Sequence, residues 1–72
     1  MTIRVEVCSE TGVCSLIRPD NTKADLLPGE VAAIATFAEQ PEAVRAVIGA
    51  ADDAFAARLT TAELEQIARE LR

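Results

Sequence analysis

Residues 2–8 alternate: Ile3, Val5 and Val7 fall on one side of the chain, and Thr2, Arg4 and Glu6 on the other. A period of two with β-branched residues predicts a half-buried strand. Ser9-Glu10-Thr11-Gly12 reads as a turn, with Gly12 suited to a left-handed backbone position. Val13-Cys14-Ser15-Leu16-Ile17-Arg18 is the returning strand. Pro19-Asp20-Asn21 carries turn chemistry, and Thr22 to Leu26 predicts a short third strand.

From Pro28 the apolar spacing changes to three and four. Pro28 or Gly29 opens a helix, because proline's missing N–H costs nothing in the first turn. Val31, Ile34, Ala35 and Ala38 form its apolar stripe, with Phe37 at the margin. Gln40, preceding Pro41, is pushed out of the helical region, so this helix is expected over about 28–39. A second helix starts at Pro41 and places Val44, Val47, Ile48, Ala51, Phe55 and Leu59 on one stripe. Gly49 inside it costs about 1 kcal/mol relative to alanine, and would bend the helix, split it or admit another backbone. One continuous helix over 41–59 is the preferred reading. Thr60-Thr61-Ala62-Glu63 is a capping box that launches a third helix over 61–71, with the stripe Leu64, Ile67, Ala68 and Leu71. Glu65 and Arg69 are spaced to pair on its exposed side.

The expected fold is α+β in a single domain over 1–72. An N-terminal antiparallel β-hairpin or three-strand meander, about 2–26, packs against two or three C-terminal α-helices.

Composition sharpens this picture. Half of the 72 residues are hydrophobic, which excludes disorder, but 14 of them are alanine and only 19 are Val, Ile, Leu or Phe. A short chain so poor in large side chains often gains stability from a second copy or a partner. The net charge of −5 argues against nucleic acid, whose phosphates call for clustered Lys and Arg, and equally against anionic membrane surfaces. Charges at Arg4 and Glu6 stand where a signal peptide needs an apolar run. Two cysteines without an export signal predict reduced thiols and a cytoplasmic protein.

Cys8 and Cys14 are the residues with the most obvious chemistry, and hairpin register decides their relation. A three-residue loop (Glu10 to Gly12) sets Cys8 opposite Cys14, within reach of a disulfide, but also sets Arg4 opposite Arg18. A four-residue loop (Ser9 to Gly12) sets Val7 opposite Cys14 and Val5 opposite Leu16. Ile3, Val5, Val7, Cys14 and Leu16 then share one apolar face. Burial of that face favours the second register, with Cys14 in the core, Cys8 on the opposite face and both thiols free. As metal ligands the pair is incomplete: C-x5-C lacks the short spacing of zinc motifs and the chain has no histidine. A zinc or iron–sulfur site would need two chains.

Catalysis is not expected, and no cofactor is implied. There is no glycine-rich phosphate loop and no nucleophile elbow. Glu6, Glu10, Asp20, Asp25 and the single lysine, Lys23, are not singled out by spacing, and Asp52-Asp53 reads as a solvated helix face. A domain of this length also leaves little volume for a cavity of several hundred Å³.

The alanines Ala43, Ala46, Ala50, Ala54, Ala56 and Ala57 spread round the second helix beyond its own stripe. A helix apolar all round is buried on more than one side, by its own fold or by another chain. Two function classes follow. The first is a non-enzymatic interaction or accessory module, docking a protein partner or a second copy through Val47, Ala50, Ala54 and Phe55. The second is a thiol-based redox or metal-binding accessory protein using Cys8 and Cys14.

Overall fold

Three antiparallel strands, β1 (Arg4–Val7), β2 (Cys14–Ile17) and β3 (Lys23–Leu26), form a sheet in the order β1-β2-β3. Four helices follow in this computed structural model, which describes residues 3–72: α1 (Pro28–Thr36), α2 (Pro41–Ala51), α3 (Asp53–Ala57) and α4 (Thr61–Leu71). Thr2, where the first strand is expected to begin, lies outside the described residues. The fold is α+β, an N-terminal meander packed on C-terminal helices.

The hairpin adopts the four-residue loop. Val7 faces Cys14 and Val5 faces Leu16. The Cys8 N–H donates to the Val13 carbonyl and the Gly12 N–H to the Cys8 carbonyl, each at 2.8 Å. Gly12 has φ 76°, and a Cβ there would stand 3.0 Å from Cγ of Pro28, so the loop packs directly on the start of α1. The second connection is a three-residue loop, Pro19 to Asn21, with Asn21 left-handed at φ 71°. Asparagine tolerates that conformation better than most residues. The Asp20 carboxylate accepts from the Thr22 N–H and hydroxyl, which holds its carboxyl below the usual range. These turn contacts lead directly into β3, which sets Ala24 against Leu16 and Leu26 against Cys14.

The inner face of the sheet buries Ile3, Cys14, Leu16, Ala24 and Leu26. Val7 shares that face by parity yet is 55% exposed, standing at the end of a strand with a neighbour on one side only. On the outer face, charges and hydroxyls tie to one another: Arg4 to Glu6 at 3.0 Å and Ser15 to Asp25 at 2.7 Å.

The first helix is shorter than expected, ending at Thr36, with Phe37 as its cap and largely solvent-facing. Gln40 is extended (φ −120°, ψ 91°) ahead of Pro41, as the proline requires. The expected continuous helix over 41–59 is not formed. The break falls at Asp52, not at Gly49: Asp52 has φ −154° and ψ 96°, and its carboxylate accepts the Phe55 N–H at 3.1 Å. Aspartate is a poor interior helix residue and a strong N-cap, so ending α2 and starting α3 there satisfies a donor that would otherwise be orphaned. The capping box at Thr60 and Glu63 forms with both of its hydrogen bonds. At α1 only half of such a box exists, Glu30 accepting from the Leu27 N–H at 2.8 Å.

The core lies between the sheet and the helices, where Ile34, Val44, Ile48, Phe55, Leu59, Leu64 and Ile67 are all buried. Helix α2 is central, packing against α1, α3, α4 and β3. Because the chain folds back at Asp52, α3 lies over Gly49, whose added Cβ would meet Ala56 Cβ at 3.6 Å and Asp53 Oδ1 at 3.7 Å. These are ordinary contacts. Gly49→Ala is therefore expected to stabilise the fold by about 0.5–1 kcal/mol, read as a rise in Tm of roughly 2–8 °C. A fall in Tm would mean that α3 sits closer to α2 than described. Among the described residues, no helix is long and apolar enough to cross a membrane.

Candidate functional site

The two cysteines are separated by the sheet. Cys14 is buried on the inner face, Cys8 is exposed at the mouth of the loop, and both thiols are free. Hydrogen bonding from the Thr11 hydroxyl, and from the Thr11 and Glu10 N–H groups, holds the Cys8 thiol below the ordinary value. Burial pushes the Cys14 thiol up, with Asp25 and Glu70 adding to the effect. Among the described residues, no group of three or more His, Cys, Asp or Glu side chains is placed to hold a metal ion.

The four residues assigned to a helical interaction surface do not share one. Ala50 and Ala54 are exposed and Val47 is half-buried, but Phe55 is 5% exposed and belongs to the core. Ala56, counted among the surplus alanines, is buried with it. The apolar residues left exposed on α2 and α3 are alanines: Ala46, Ala50, Ala51, Ala54 and Ala57.

The structure instead opens a trough of about 1110 Å³ between the end of the sheet and α4. Its volume exceeds what so short a chain was expected to offer, although it is an open channel and not an enclosed cavity. One wall is Ile3, Arg4 and Val5 with Ile17 and Arg18; the other is α4, from Thr60 to Glu70. Gln66 joins the walls. Its Oε1 accepts the Ile3 N–H at 3.3 Å, and its Nε2 donates to the Ile3 carbonyl at 2.7 Å and to Glu70 Oε2 at 2.8 Å. Alternation along the ladder turns the N–H and C=O groups of Ile3, Val5 and Val7 away from β2. The Gln66 amide thus takes the place of a neighbouring strand at the first of these positions. Gln66→Ala is expected to cost about 1–2 kcal/mol, since it removes both bonds to the Ile3 backbone. Urea unfolding checks this, and a loss below roughly 0.5 kcal/mol would show that the strand start does not depend on α4.

Charge is unevenly placed around the trough. Three of the seven cations (Arg4, Arg18, Arg69) line it, against two of the twelve carboxylates (Glu63, Glu70). That is +1 locally and leaves four cations against ten carboxylates, −6, for the rest of the chain. Arg18 is mostly buried, and its Nε has no hydrogen-bond partner; Glu63 Oε2, at 4.0 Å, is too far for one. The expected Glu65–Arg69 ion pair is not formed among the described residues, which leaves Arg69 to the trough.

None of this could be read from spacing. Arg4, Arg18 and Arg69 are brought together by the approach of α4 to the sheet end, and the signal at Thr60–Glu63 is a helix-capping signal only. Compared with protein-family models, with characterised proteins and with solved structures, the chain matches none.

Proposed function

We propose that the chain is a small, non-enzymatic interaction module of the cytoplasm that docks a protein partner in the trough between the sheet end and α4. The observation that carries this reading is the gathering of three arginines around an open channel in a chain of net charge −5. Such a channel offers hydrogen-bond donors to a partner and encloses no space in which water could be excluded from a reaction. The exposed alanines of α2 and α3 give a second, flatter surface suited to another copy of the chain.

Native mass spectrometry of the protein, purified without reductant or chelator, together with photo-cross-linkers placed at Ala62 in the trough and at Ala54 on α3, tests this. The expected result is a metal-free chain with both thiols intact, cross-linking through position 62 to one polypeptide. Cross-linking through position 54 to itself would move the docking surface to the helices. A metal-free monomer with no cross-link at either position would sink the reading.

One observation favours a thiol-based alternative: Cys8 is exposed, and three hydrogen-bond donors favour its thiolate. Bound metal, or a disulfide seen as the loss of two hydrogens, would support it. If Cys8→Ser and Cys14→Ser leave metal content and redox response unchanged, this alternative fails.

A further inference from the structure

We infer that the trough takes an acidic polypeptide segment, whose carboxylates close on Arg18 and Arg69 while an apolar neighbour rests on Val5. This rests on the interaction-module reading and gives its partner a chemistry.

Donors and acceptors are out of balance in the trough. A guanidinium carries five N–H donors and no acceptor. Among the described residues, the guanidinium groups of Arg18 and Arg69 make no hydrogen bond, and the one ion pair of Arg18 is long. The two carboxylates beside them each spend one oxygen elsewhere. Glu63 accepts the Thr60 N–H in the capping box, and Glu70 accepts from Gln66. An occupant that brings acceptors and negative charge fits these unspent donors, and carboxylates match guanidinium forks in geometry as well as sign. A polypeptide fits better than a nucleic acid. The remaining surface, at −6, repels a strand bearing a phosphate on every nucleotide, whereas a peptide can confine one or two carboxylates to the trough. Val5, half-buried on the inner face of the sheet, supplies the apolar footing beside the arginines.

Three probes test this: a capped hexapeptide of alternating Glu and Leu, its Gln and Leu counterpart, and a single-stranded oligothymidylate. The readout is a nitrogen-15 spectrum of the intact chain that resolves the arginine Nε–H signals. The Glu/Leu peptide is expected to move the Arg18 and Arg69 signals in a saturable way, and Arg69→Gln to weaken binding about tenfold. Arg58→Gln, at an exposed position outside the trough, is expected to leave it unchanged. Arg18→Gln should abolish binding, but Arg18 is largely buried, so the exposed Arg69 variant decides if that chain unfolds. Equal binding of the Gln/Leu peptide, tighter binding of the oligonucleotide, or no movement of either arginine signal overturns the inference. Shifts confined to α2 and α3 would overturn it while leaving the module reading in place, which the cross-linking experiment decides separately.

Discussion

Phe55→Ala is expected to lower the unfolding free energy by about 3–5 kcal/mol, a large share of what so small a domain can hold. Phe55 is one of only two aromatic residues in the chain, and it is buried against the helical core. It reaches the core because the Asp52 cap turns the chain and folds α3 beneath α2. Removing the ring leaves a cavity that neighbouring alanines cannot fill, so both the transfer and the cavity contributions are lost. Ala54→Glu, one residue away on the exposed side, should change stability by less than about 0.5 kcal/mol. Urea denaturation of both variants at two protein concentrations measures this. A loss below roughly 1 kcal/mol for Phe55→Ala would return the ring to the surface. A midpoint that depends on protein concentration would return it to an interface.

The second large effect concerns the thiols. Cys8 should react with a soluble alkylating or disulfide reagent about three to four orders of magnitude faster than Cys14, because Cys14 reacts only when the fold opens. The pH profile has a definite sign. The thiolate is the nucleophile, and the donors from Thr11 and Glu10 favour it at Cys8. The reaction midpoint for Cys8 should thus lie below that of an unstructured peptide thiol, and Thr11→Ala should move it upward. Cys14, shifted the other way mainly by burial, should show its midpoint only in denaturant. Mass-resolved labelling over a pH series gives all three results. Comparable rates at the two cysteines would mean that the hairpin has slipped to the three-residue loop. Every inward side chain of β1 would then point outward.

Much of this arrangement was already present in the order of the residues. Val7 opposite Cys14 follows from the requirement that Val5, Leu16 and Cys14 share the buried face, and the four-residue loop ending in Gly12 delivers that register. The same reasoning separates the two thiols. Pro41 holds Gln40 extended at the start of α2, and Thr60 with Glu63 starts α4, since both are interactions between residues no more than three apart. Local chemistry of this kind is legible because it does not depend on what packs against it.

The tertiary structure decided the rest. The stripe from Val44 to Leu59 keeps helical spacing through Asp52, so periodicity alone favours one helix. A capping hydrogen bond and the burial of Phe55 and Ala56 against α2 make two of it. Glu65 and Arg69 have the spacing of an ion pair, yet an exposed pair is worth only a few tenths of a kcal/mol, too little to hold Arg69 away from the trough. The trough itself joins residues more than sixty positions apart, Ile3 and Gln66 being its hinge. No local pattern encodes that meeting, because it exists only once the hydrophobic faces of the sheet and α4 have found each other.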